Sequence, residues 1–193
     1  PAENVHVDPD AKRVLVVSTV LFTLFFAVWV MFAIVGLKMR KELSLSEGEF
    51  ALLAAIPILT GSVLRVPMGI ATDKVGGRKM LIGLLLFTAV PTYLVSRIQT
   101  YDQALILALF LGMAGTSFAV GVAWVSAWYP PEYQGFALGV FGTGNVGASI
   151  TKLLAPTLVT TVGSAGLLGG LIGGGWRFVP AVYAIVLVLC AAI

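Results

Sequence analysis

The sequence predicts an all-α membrane protein of six spanning helices, and three observations carry that reading. Hydrophobic residues make up 59% of the 193-residue chain and charged residues only 11%, against about 25% charged in ordinary soluble domains. Six apolar stretches, Val14–Leu37, Phe50–Ala71, Met80–Arg97, Ala104–Trp128, Gly135–Val162 and Trp176–Ile193, are long enough to cross a hydrocarbon core about 30 Å thick. All nine Asp and Glu residues fall outside those stretches.

The same composition excludes several classes. The net charge of +3 comes from scattered Lys and Arg, with no basic face of the kind that binds nucleic acid. A single cysteine, Cys190, and a single histidine, His6, leave no disulfide framework or metal set within the chain. No nucleophile–base constellation and no pair of carboxylates in a cleft is visible, so neither catalysis nor a cofactor is expected.

Taken in order, residues 1–13 form a polar tail. The first apolar run is too long for a signal peptide and lacks a small-x-small cleavage site. The loop from Lys38 to Glu49 is the most charged part of the chain. The second and third runs are joined by the tight loop from Asp73 to Lys79, and the third and fourth by Ser96 to Gln103. Pro130 and Pro131 end the fourth run sharply. The glycine-rich stretch from Gly163 to Gly175 reads as a pliant connector. The chain opens on Pro1, and its last run reaches Ile193 without a polar cap, which predicts a piece of something longer. Positive charge does not orient the bundle. Lys12, Arg13, Lys74, Arg78 and Lys79 on one side nearly balance Lys38, Arg40, Lys41, Arg97 and Arg177 on the other.

Three motifs carry chemistry. The first is Gly69-x-x-x-Asp73-Lys74-x-Gly76-Gly77-Arg78-Lys79. Its paired glycines permit positive φ in a short turn, and Asp73 is expected to cap a helix end or pair with Arg78. The second is Arg65, eight positions before Asp73 and thus about 12 Å inside its span. A charge at that depth costs about 2.5–3.5 kcal/mol on insertion scales and usually faces a cavity. A structural arginine would need an acidic partner in another span, and the chain offers none. Gly61 and Gly69, four residues either side, are expected to keep space open around the guanidinium, with Pro67 loosening the helix nearby.

The third motif runs from Gly135 to Gly147, followed by Ala155-Pro156. Gly135, Gly139, Thr143 and Gly147 recur every four residues and are expected to form one close-packing stripe. Asn145 points elsewhere and lies about 15 Å from the same membrane face as Arg65, near the midplane depth of transporter sites. Together Arg65 and Asn145 suggest a membrane pathway for a small anion, to which an arginine fork and an asparagine amide can both donate. Lys152 is open to two readings: a lysine snorkelling to the interface, or a second basic group in an anion path. Arg97 and Arg177 lie at span ends, where snorkelling suffices, and the tryptophans Trp29, Trp124, Trp128 and Trp176 need no site.

The glycine turn resembles the loop between helices two and three of the major facilitator superfamily. The core Gly142-x-Gly144-Asn145-x-Gly147, with its following proline, resembles the helix-five signature of the nitrate/nitrite porters within that superfamily. Arg65 matches their helix-two arginine, and Ala123 to Pro130 looks like their end of helix four. The resemblance covers essentially the whole chain and stops where a central loop and helices seven to twelve would begin. It implies the N-terminal six-helix half of a secondary transporter (residues 14–193), with the N-terminus and the 1–13 tail cytoplasmic. The expected setting is a multi-pass protein of the bacterial inner membrane. The implied partners are nitrate or nitrite, the lipid bilayer and a C-terminal six-helix half. It implies further that Arg65 and Asn145 contact the anion, with Gly142 and Gly144 in the same site. Phe118 is either a matching aromatic wall or a core residue. Gly69, Asp73, Lys74, Gly77 and Arg78 would form a gate. The alternatives are a carrier of the same superfamily for another organic anion or drug, and a non-transporting membrane module.

Overall fold

The computed structural model describes residues 8–162, 166–167 and 172–192. His6, with the tail up to residue 7, and the connector residues 163–165 and 168–171 lie outside these. Nine α-helices make up the described fold: α1 (Pro9–Trp29), α2 (Met31–Glu42), α3 (Glu47–Val75), α4 (Gly77–Val95), α5 (Tyr101–Leu111), α6 (Ser117–Trp128), α7 (Pro131–Gly142), α8 (Gly147–Thr161) and α9 (Phe178–Ala191).

Local chemistry sets the boundaries. The Asp8 carboxylate accepts from the Asp10 amide, and Pro9 supplies the fixed φ that suits a first turn, so α1 begins ahead of the apolar run at Val14. Ser46 and Glu49 form a capping box that starts α3 at Glu47. Thr100 caps α5 through the Gln103 amide. Gly76 has φ 90°, a backbone angle that glycine adopts without penalty, and it alone separates α3 from α4.

Three of the expected spans are interrupted. α1 breaks from α2 at Val30. A 3-10 segment, Gly112–Thr116, separates α5 from α6, and a second, Thr143–Val146, separates α7 from α8. Among the described residues, four runs are long and apolar enough to cross a membrane: Pro9–Glu42, Glu47–Val75, Gly77–Val95 and Tyr101–Trp128. The fifth, α7 through α8, is diluted by its glycines, Asn145 and Lys152. The sixth, Gly175–Ala191, is apolar but shorter.

α1 is the hub. It packs on α6, α7, α8 and both 3-10 segments, while α3 lies against α5, α6 and the first 3-10 segment, and α4 lies along α9. The main core contains Phe25, Phe32, Met31, Met39, Leu53 and Leu85; a second cluster joins Phe22, Val125, Ala137 and Phe141. α3 is the least buried of the four long runs, with Leu59, Val63 and Val66 about two-thirds exposed. Phe136 on α7 and Leu153 on α8 are exposed as well. Outward apolar surface is the normal state of a bundle solvated by lipid, where association relies on packing and hydrogen bonds. Away from the glycine turn, Glu42 accepts from Trp176 Nε1 (2.7 Å) and pairs with Arg177, which also donates to the Ile98 carbonyl (3.0 Å). Arg177 is therefore a structural tie between the end of α2 and the last span.

Candidate functional site

Arg65 is half-buried on α3, between two aromatic faces. Its guanidinium carbon lies 5.2 Å from the Trp29 ring centroid and 5.3 Å from that of Phe118. Its Nε donates to the Gly115 carbonyl (3.2 Å). The two terminal Nη groups have no protein partner among the described residues. The ion pairs seen there are Arg40–Glu47 and Arg177–Glu42, neither of which involves Arg65. The charge is thus held by ring faces and one carbonyl, and the donor edge of the fork remains unused.

The 3-10 segment beside it explains that carbonyl. Along this break in the helical ladder three successive carbonyls each accept from a side chain. Thr116 Oγ1 donates to Met113 (2.7 Å), Ser117 Oγ to Ala114 (2.6 Å), and Arg65 to Gly115. The second 3-10 segment repeats the pattern. Thr143 Oγ1 donates to the Val140 carbonyl (2.7 Å), and Asn145 Nδ2 donates to that of Gly142 (2.9 Å). Asn145 is exposed, and one of its two amide protons is already engaged.

The glycine signature divides in two. Gly144 is buried: a Cβ there would lie 2.5 Å from the Phe22 ring. At Gly147 a Cβ would collide with the Thr23 carbonyl of α1. These two admit α1 at close range. Gly135, Gly139 and Gly142 have nothing within 4 Å of a Cβ position. The four-residue stripe expected from the sequence is therefore not one packing face, because the 3-10 turn at Thr143–Val146 rotates the helix between its halves. Gly144 seats Phe22, whereas Gly142 and Asn145 remain on open surface.

A run of rings joins the two parts of the site. Phe118 packs at 5.6 Å from Phe22 and 5.9 Å from Phe141, and Phe22 stacks on Phe141 at 4.8 Å. Phe118 is thus both a core contact and, at 37% exposure, a wall beside Arg65. Lys152 is exposed on α8 and makes no ion pair or hydrogen bond among the described residues.

At the glycine turn, the expected pairing of Asp73 with Arg78 is not formed; both side chains are exposed, as is Lys74. Only Gly76 takes positive φ. Gly77 serves space instead, since a Cβ there would meet the Trp124 side chain on α6. A Cβ at Gly69 would lie 3.9 Å from the Cβ of Ala119 on α6, an ordinary contact. Gly61 does not hold space open for the guanidinium, because it is filled by the Gly112 carbonyl and the Trp29 indole.

Residues 17–193 match the sequence profile of the Major Facilitator Superfamily. The chain belongs to this superfamily. Its fold agrees with the solved structure of a bacterial homologue of the human lysosomal transporter Spinster in an inward-facing, unoccupied conformation. The TM-score is 0.82 at 17% identity, covering 97% of this chain and 43% of that one. In sequence it is similar to the probable nitrate/nitrite antiporter NarK1 of Thermus thermophilus, with 52% identity over 98% of this chain and 43% of the relative. It is also similar to the probable nitrate/nitrite transporter NarK2 of Mycobacterium tuberculosis, with 38% identity over 77% of this chain and 38% of the relative. The chain therefore spans less than half the length of these major facilitator relatives.

Within this major facilitator fold, sequence reasoning missed Trp29 and Gly115. Trp29 had one signal in its favour: unlike Trp124, Trp128 and Trp176, it lies well inside its apolar run, away from an interfacial belt.

Proposed function

We propose that this chain forms one wall of a path for nitrate or nitrite, as the N-terminal six-helix half of a major facilitator carrier working by alternating access. The observation that carries the reading is Arg65: a cation within apolar stretches that hold no carboxylate, with two rings against it and an unused pair of Nη donors. A planar trigonal anion accepts both donors at once, and the apolar walls strengthen the contact by excluding water. The names of the NarK1 and NarK2 relatives support the substrate class.

In this reading Arg65 and Asn145 bind the anion, beside Phe118 and Gly142, while Gly144 shapes the site from behind by seating Phe22. Lys152 stands in the anion path on the open face of α8. Gly69, Asp73, Lys74, Gly77 and Arg78 form a gate on the side of the N-terminus, which is cytoplasmic. A free Asp73 and Arg78 suit that role, since a gate needs charges available to the opposite half. The exposed apolar faces of α3, α7 and α8 meet that C-terminal half and the lipid. Substrate sites in such carriers lie between two repeats near the midplane, and access alternates as one rocks against the other.

Uptake of labelled nitrate by counterflow tests this reading in liposomes carrying the full-length protein. Internal nitrite or nitrate should drive saturable uptake, and Arg65→Ala should abolish it. Uptake unchanged in Arg65→Ala would refute the site.

A further inference from the structure

Trp29 closes α1 at the point where that helix breaks from α2. Its indole is fixed by three contacts. Nε1 donates to the Pro57 carbonyl of α3 (2.8 Å). A Cβ at Gly61 would lie 2.9 Å from Nε1, and one at Gly115 would lie 2.6 Å from Cε2. The ring therefore sits in a slot with no room for displacement. Pro57 and Gly61 belong to the helix that carries Arg65. Gly115 is both a wall of the slot and the acceptor of Arg65 Nε. Indole, Gly115 and guanidinium are thus mutual neighbours.

We propose that Trp29 is the positioning residue of Arg65: it fixes the plane of the guanidinium and thereby favours planar anions over spherical ones. The proposal rests on the reading that Arg65 binds an oxyanion. One ring face and one Nε hydrogen bond define the orientation of a planar group, with Phe118 on it as a further face. Two parallel bonds to a trigonal anion require that orientation. A spherical ion needs only the charge, which survives any tilt.

The test compares dissociation constants for nitrate and chloride, by calorimetry on the full chain, for native protein, Trp29→Leu, Trp29→Phe and Arg65→Ala. Trp29→Leu should weaken nitrate about tenfold, within the range of a partly desolvated cation–ring contact, and chloride by less than about twofold. Trp29→Phe keeps a ring face without the Nε1 donor and should recover most of the nitrate affinity. An unchanged nitrate-to-chloride ratio in Trp29→Leu would overturn the proposal, as would Trp29→Phe behaving no better than Trp29→Leu. Should Trp29→Leu fail to fold, Trp29→Met carries the same expectations. Arg65→Ala separates the two ideas. If it loses nitrate while Trp29→Leu keeps the native ratio, only the positioning role fails. If it binds nitrate normally, the site reading and this proposal fail together.

Discussion

Replacing Arg65 by lysine retains the charge and removes the fork. Three contacts change. The guanidinium carbon lies 5.2 and 5.3 Å from two ring centroids, and an ammonium lacks the planar, delocalised face that suits such neighbours. Its Nε bond to Gly115 is lost or taken up by the single Nζ, which is then less available to the anion. Of two charge-assisted bonds to nitrate, one remains. A hydrogen bond to a charged group contributes about 1.5–3 kcal/mol, and the ring contact about 0.5–2 kcal/mol. Because Arg65 is only half-buried, the sum belongs in the lower part of that range, about 2–4 kcal/mol, or roughly 30- to 700-fold in Kd. The fold should survive, since no ion pair holds Arg65 among the described residues and its one protein hydrogen bond is a single Nε contact to the Gly115 carbonyl. The assay is nitrate titration calorimetry on the full-length protein, with thermal denaturation as the control. A Kd within about threefold of native at unchanged stability would refute the argument that the fork, rather than the charge, recognises the anion.

Further outcomes follow from neighbouring geometry. Asn145→Ala should weaken nitrate binding by about 1 kcal/mol, one hydrogen bond, and titration should find Asp at this position worse than Ala because it adds a like charge. Gly147→Ala drives a methyl into the Thr23 carbonyl; overpacking of this kind costs about 1–3 kcal/mol, so thermal denaturation in detergent should show a lower midpoint, whereas Gly139→Ala, with open space around it, should leave the midpoint in place. For topology, a cysteine at Ser46 should react with an impermeant reagent from outside the cell and one at Lys74 should not; the reverse pattern would invert the orientation.

Much of this protein was legible in its sequence because the membrane imposes coarse rules. Length and apolarity marked the four long runs, since a bilayer rejects unsatisfied backbone and charge alike. Arg65 stood out for the same reason, being, like Lys152, a costly charge inside a span with no carboxylate in any span to pair it. The glycine turn was visible as chemistry, although only Gly76 needs its backbone freedom and Gly77 instead admits Trp124. Tertiary structure alone decided which face of each helix meets its neighbours. In a helix apolar all round, the 3.6-residue period that separates inside from outside in a soluble helix carries little signal. The four-residue stripe therefore looked continuous, yet the 3-10 turn at Thr143–Val146 leaves Gly147 on α1 and Gly139 in the open. Trp29 reaches Arg65 from 36 positions away, by way of a break at Val30 that no proline or glycine announces. Local sequence specifies what a residue can bond to; that Arg65 reaches the Gly115 carbonyl, 50 positions away, depends on elements packed from elsewhere in the chain.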